Sequence, residues 1–239
     1  PGKKAVHALR VAFKKWRTVL RFADLVNNRD NAAEEMEALR YFFRIAGIYR
    51  DAEMSESLFK QYIRKEKCRL PSFHQYLRAL CRITGHQTHS AAQADMNTWF
   101  LSIANRITPL LSAFPEEELN NQVQSYAGKK WDACLELRDQ FTKQAHALRK
   151  ELKQIYYLLL LCPVNILFDP GQMKQLDRAL DALGNWHDHE LLYQRLRYFR
   201  KHYLVKGMDE YEQACKMETL LEVERESWLS MAEEGLKKI

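Results

Sequence analysis

The chain has 239 residues, a formal net charge of +6, and only 8 Gly and 6 Pro. So few breakers among many Leu, Ala, Glu, Arg, Lys and Gln exclude a turn-rich β architecture and predict an all-α fold with a sizeable core. Five scattered cysteines (Cys68, Cys81, Cys134, Cys162, Cys215) without a CxxC spacing exclude a disulfide framework and fit a reducing, cytoplasmic setting. The basic balance points to an anionic partner. IYYLLLLC (155–162) is the most apolar run, far below the ~20 residues of a membrane span, so no membrane partner is expected. There is no signal-peptide pattern, and the chain opens on PGKK directly before a helix, so the natural protein is expected to extend upstream.

Helical periodicity and the positions of Pro and Gly predict helices at about 4–27, 31–46, 48–67, 72–85, 88–113, 116–126, 129–162, 171–183, 185–205 and 208–238. No run alternates long enough to read as a strand.

The first helix contains KKAVHALRVAFKKWRTVLRFA (3–23), which carries seven Lys or Arg and a His but no Asp or Glu. At about 100° per residue, Lys3, His7, Arg10, Lys14, Arg17 and Arg21 fall within an arc of roughly 80°. Val6, Leu9, Phe13, Trp16 and Leu20 flank the stripe on one side, and Ala8, Ala12, Val19 and Phe22 on the other. A helix apolar over most of its circumference is largely buried. Its cations are therefore expected to line a groove about 27 Å long rather than an open face.

Farther along, AGIYRDAE (46–53) places Arg50, Asp51 and Glu53 after Gly47, followed by Lys60 and Arg64 at i, i+4 spacing. His74, Arg78 and Arg82 form a weaker basic row. The helix near 129–162 carries a second, thinner stripe: His146, Arg149, Lys153 and Tyr156, extended by Leu160. LGNWHDHE (183–190) follows, then Arg197 and Lys201. The last helix is acidic and amphipathic and reads as an outer packing element.

Two motifs repeat in order. HALR recurs at His7 and His146, each with a Lys seven residues on, at an offset of 139; G-x-x-[RH]-D-x-E recurs at Gly47 and Gly184, at an offset of 137. The chain therefore divides into related halves, about 1–114 and 115–239, packed as one unit whose two stripes are expected to form a single positive channel. Gly47 and Gly184 are expected to permit close packing or a bend. Asp51 and Asp188 are expected to orient basic residues of the stripes, with Arg10 or Arg149 as possible partners.

These motifs, with their order and spacing, resemble the CHAD domain, the conserved-histidine α-helical domain, over essentially the whole chain. The resemblance implies a single domain of two pseudo-symmetric four-helix halves. Between them the resemblance implies a basic pocket or pore that binds inorganic polyphosphate, and no catalytic residue, metal or cofactor is expected. It also implies a cytoplasmic location associated with polyphosphate granules, and an upstream triphosphatase-type domain as companion. Carried onto this sequence, the ligand-binding positions are His7, Arg10, Lys14, Lys15, Arg17, His146, Arg149 and Lys153. The stripe adds Arg21 and Lys3; the repeat adds Arg50, Lys60, Arg64, His187, Arg197 and Lys201. Gln154 and Tyr156 stand where a fully basic second motif would have Arg or Lys, so the first stripe is expected to dominate.

Two other functions compete. HDHE at 187–190 suggests a metal-dependent phosphohydrolase, but the sister segment has Arg50 where a ligand His would stand, and an Arg cannot replace it. Nucleic acid is disfavoured because Phe13 and Trp16 face the core rather than a stacking surface. No Gly-rich phosphate loop or G-x-S-x-G elbow is present.

Overall fold

The computed structural model describes residues 3–27, 37–91, 96–138, 140–161 and 165–239. They form eight helices: α1 (Lys3–Val26), α2 (Glu37–Glu66), α3 (Pro71–Ala91), α4 (Met96–Ser112), α5 (Glu116–Arg138), α6 (Phe141–Leu159), α7 (Pro170–Tyr203) and α8 (Asp209–Leu236). The described residues contain no strand, and the chain is all-α in two halves.

Several boundaries differ from the expectation. α2 runs unbroken through Gly47, and α7 through Gly184. α3 continues through Gly85 to Ala91, and α5 through Gly128 to Arg138. A Gly costs a helix only about 1 kcal/mol relative to Ala and keeps its N–H, so tertiary packing overrides it. True starts are better signalled. Asp169 caps α7 by accepting from the Gln172 N–H at 2.8 Å, while Gln172 Oε1 accepts from the Asp169 N–H at 3.0 Å. Pro170 then occupies the first turn, where its missing N–H costs nothing. The expected boundary near residue 31 lies outside the described residues.

Each half has its own core. In the first, Val6, Phe13 and Leu20 of α1 pack on Phe42 and Ala46 of α2 and on Ile103 and Ile107 of α4. Phe13 is the hub, with ring centroids 5.5–6.2 Å from Phe42, Phe43, Trp99 and Phe100. In the second, Leu148, Leu152 and Ile155 of α6 pack on Ala127 and Cys134 of α5, Leu176 and Leu183 of α7, and Ala232 of α8. A third cluster joins the halves: Phe59 of α2, Phe73 and Leu77 of α3, Leu192 and Leu196 of α7, and Met217 and Leu221 of α8. The long helices α2 and α7 thus each leave their own core and meet in a shared one.

The duplication is not a simple tandem. α1, α2 and α3 correspond in order to α6, α7 and α8. The helix that backs the basic helix is α4 in the first half, after the repeated trio, but α5 in the second, before it. The two halves therefore place α1 against α6. Phe22, Leu158 and Val123 seal that contact at one end. No helix among the described residues is long and apolar enough to cross a membrane.

Candidate anion site between the halves

Burying one flank of α1 in its own core leaves its charged stripe directed at α6, and the same holds in reverse. Between them lies a cavity of about 260 Å³. α1 contributes His7, Arg10, Lys14 and Arg17; α6 contributes His146, Arg149, Lys150 and Lys153. Arg50 and Asp51 of α2 and His187 of α7 close it, so among the described residues seven Arg or Lys and three His face one carboxylate. The two stripes share a single cavity.

Several groups are held in place by the protein. Arg10 donates from Nη1 to the Phe43 carbonyl at 3.0 Å and lies 4.6 Å above the Phe43 ring. A Cβ on Gly47 would stand 2.6 Å from that Nη1, so Gly47 makes room for the guanidinium rather than bending the helix. At Gly184 a Cβ would meet nothing within 4 Å. Gly184→Ala is therefore expected to raise the melting temperature by about 2–4 °C through helix propensity alone. Gly47→Ala is expected to lose that gain by displacing Arg10; thermal melts of the two variants check the difference.

Arg50 makes a bidentate pair with Asp188 across the halves, Nη1 to Oδ1 at 2.6 Å and Nη2 to Oδ2 at 3.0 Å. Asp188 thus orients Arg50, not Arg149 as the sequence reading allowed. Burial disfavours the charged form of Asp188, but hydrogen bonds from His187 and Arg50, with the charge of Arg50, overcome it and bring the carboxyl to about 2. His187 Nδ1 lies 3.5 Å from Asp188 Oδ1, and its ring stacks on that of His146 at 5.6 Å. Behind them, Arg195 donates to the Asp51 carbonyl at 2.5 Å and to the Ser55 hydroxyl.

The remaining cations lack such relief. Burial, then the charges of Lys153, Arg10 and Arg149, push the Lys14 ammonium down to about 7. Burial and the charges of Arg149 and Arg50 bring Lys153 to about 8. Burial is also the leading cause that lowers Arg149, His7 and His146. The Arg149 Nε is buried and has no hydrogen-bond partner among the described residues. An unpaired donor inside a crowd of like charges is costly to hold, and an anion would relieve it.

Lys14→Met should test that cost. It is expected to raise the unfolding free energy at pH 7 by about 1–3 kcal/mol. Between about 7 and the ordinary 10.5, the unfolded chain holds a proton at Lys14 that the folded chain has lost. Stability of the unsubstituted chain therefore rises with pH across that window, and the variant should flatten the rise. Urea melts at pH 7 and 9 would measure both.

Not every expected residue joins the cavity. Lys15 is exposed on the outside of α1. Arg21 is exposed beyond the cavity lining and donates to Gln154 Oε1 at 3.3 Å. Lys60 pairs with Glu56 at 2.7 Å. Arg64, Arg197 and Lys201 are exposed, and Arg197 lies over the Tyr193 ring. None of these four lines the cavity. The side chain of Lys3 lies outside the described residues.

Sequence reasoning missed Lys150 and Tyr157, which line the cavity, and named Tyr156 instead. Tyr156 hydrogen-bonds Asp177 and packs on the second core. Lys150 stands four residues after His146 and three before Lys153, on a row adjacent to that of Arg149 and Tyr156, and spacing alone does not choose between the two rows. The HDHE segment divides its side chains among separate partners. His189 Nδ1 is 2.7 Å from the Asn185 carbonyl, and Glu190 accepts from Arg225 at 2.6 Å. Among the described residues, no three His, Cys, Asp or Glu side chains could hold one metal ion.

Comparison with known protein families gives a match to the CHAD domain over residues 2–197 of the chain. Neither the curated proteins nor the solved structures give a significant match.

Proposed function

From the chain's membership of the CHAD domain family, and from the cavity between its halves, we propose that it is a non-catalytic binding module for inorganic polyphosphate. One observation carries the reading: among the described residues, seven Arg or Lys side chains and three His converge on a cavity with a single carboxylate in its lining. Holding so many like charges together is costly, and an anion of high charge density would offset that cost. A chain of phosphates would distribute its oxygens along both stripes. Arg149 would complete its unpaired Nε, and Lys14 and Lys153 would regain full charge. An RNA strand fits less well. Phe13 is buried in the first core with Trp16 packed against it, and the Phe43 face is covered by Arg10.

Calorimetric titration with long-chain polyphosphate over a salt series tests the proposal. By analogy with single-stranded nucleic acids, each phosphate engaged contributes about −0.7 to the slope of log affinity against log salt. A slope near −3 or steeper is expected. Absence of binding at low salt, or displacement of polyphosphate by equimolar RNA, would overturn it.

The same titration has a pH signature. The anion favours charged Lys14 and Lys153, which in the free protein lose their protons near 7 and 8. Binding therefore takes up protons, and affinity is expected to fall as pH rises from 7 to 9. The histidines act lower: His7 and His146 are shifted down from 6.5, so their contribution enters only in more acid solution.

A further inference from the structure

The Arg50–Asp188 pair stands between the anion cavity, which Arg50 lines, and a second cavity of about 310 Å³, which Asp188 lines. Three helices build this second cavity: α2 gives Tyr62 and Lys65, α7 gives Asp188 and His189, and α8 gives Glu224 and Trp228. Its charges are paired within the protein. Asp188 accepts from both guanidinium nitrogens of Arg50, and Lys65 donates to Glu224 Oε1 at 3.4 Å. The cavity therefore suits a neutral molecule rather than another phosphate. Its floor is aromatic. The Tyr62 and His189 rings meet edge to face with centroids 6.0 Å apart, and the Trp228 ring lies 6.3 Å from that of His189.

Tyr62 is only 5% exposed. Its hydroxyl is buried without a hydrogen-bond partner among the described residues, and so is the Trp228 Nε1. A buried donor left unpaired is costly, and two in one cavity call for acceptors that the protein does not supply. His189 offers the opposite. Its Nδ1 is 2.7 Å from the Asn185 carbonyl, which can only accept, so that nitrogen carries the proton and Nε2 of the neutral ring is left as an acceptor. Ser57, Gln61 and Asn185, exposed in the lining, add groups that both donate and accept.

We propose that this second cavity binds a neutral nucleobase, free or as its nucleoside. A base is planar and packs against aromatic rings. Its edge carries acceptors that can answer Tyr62 and Trp228, beside donors that can answer His189. The volume is at the small end of ligand cavities and holds one such molecule, not a strand. The proposal does not rest on the polyphosphate reading.

The test titrates the full chain with adenosine, guanosine, cytidine and uridine by calorimetry. The indole N–H resonances are followed by NMR, with that of Trp228 assigned by its absence in Trp228→Phe. At least one nucleoside is expected to bind with a dissociation constant below about 1 mM. It should shift the Trp228 resonance more than those of the other four of the five Trp residues. Tyr62→Phe and Trp228→Phe each keep a ring and remove one donor, so each should weaken that nucleoside about five- to tenfold. Tyr62→Phe should leave the melting temperature of the free chain unchanged or higher, because it deletes a hydroxyl that the fold leaves unpaired. Saturating polyphosphate should not displace the nucleoside. The proposal is overturned if none of the four binds, or if both variants bind as tightly as the unsubstituted chain. Displacement by polyphosphate would also overturn it, by making the two cavities one. So would a fall in the melting temperature of Tyr62→Phe, which would show that water or a protein group already serves the hydroxyl. The two readings fail separately: nucleoside binding without polyphosphate binding sinks only the long-chain ligand, and the reverse sinks only the nucleobase.

Discussion

A chain carrying Arg10→Ala together with Arg149→Ala is expected to bind long-chain polyphosphate at least about a hundredfold more weakly than the unsubstituted chain at the same salt. Each guanidinium would give one or two charge-assisted hydrogen bonds, worth about 1.5–3 kcal/mol apiece, and each 1.4 kcal/mol is tenfold in affinity. The two single variants should differ. Arg10 already gives one donor to the Phe43 carbonyl and covers the Phe43 ring, so part of its hydrogen-bonding capacity belongs to the fold. Arg149 has a buried Nε with no partner among the described residues, so more of its capacity remains for a ligand. Arg149→Ala should therefore cost more affinity, and Arg10→Ala more stability. Calorimetry for binding and thermal melting for stability separate the two. Equal binding by the double variant and the unsubstituted chain would place the ligand elsewhere, whatever the melting temperatures.

The expectation from sequence that the first stripe dominates has a clear physical origin. On α1 the absence of any acid from residue 3 to 23 makes the charged face unmistakable. On α6 the cations at 149, 150 and 153 straddle two adjacent rows of the helix, and periodicity alone does not say which row faces inward. The cavity settles it by including Lys150 and Tyr157 and leaving Tyr156 to Asp177. The mid-chain glycines misled for a different reason. Gly47 was legible as a place of close approach, but what approaches is the Arg10 guanidinium from another helix, and no local pattern encodes that. The pairing of Lys60 and Arg64 with Arg197 and Lys201 by offset is a real correspondence of sequence. It lies along the parts of α2 and α7 that enter the third core, past the cavity, so it adds nothing to the lining. The order of α4 and α5 around their basic helices was equally hidden, because neither carries a repeated motif.

Least legible of all was the Arg50–Asp188 pair, which joins corresponding segments of different halves, and it carries the largest stability effect. Asp188→Asn is expected to lower the unfolding free energy by about 3–5 kcal/mol, because it leaves Arg50 buried in a cationic cavity without its bidentate acceptor. For a chain of this length that corresponds to a fall of about 10 °C in melting temperature. Glu190→Gln, which breaks the more exposed pair with Arg225, should cost less than about 1 kcal/mol and serves as the reference. The sign of the acid response follows from the lowered carboxyl. Asp188 titrates near 2 in the folded chain, below its ordinary value of 3.8. Its contribution is therefore fully present above about 4 and is lost as pH falls toward 2, so the gap between the two chains should narrow in acid. Urea melts at pH 7 and pH 3 measure that gap. A loss no larger than that of Glu190→Gln would show that the pair does not hold the halves together. The variant also links stability to binding. Removing the acid leaves Arg50 to seek another anion, and polyphosphate in the cavity can supply it. Saturating polyphosphate should therefore raise the melting temperature of Asp188→Asn by more than it raises that of the unsubstituted chain. An equal increment would mean that Arg50 does not reach the ligand.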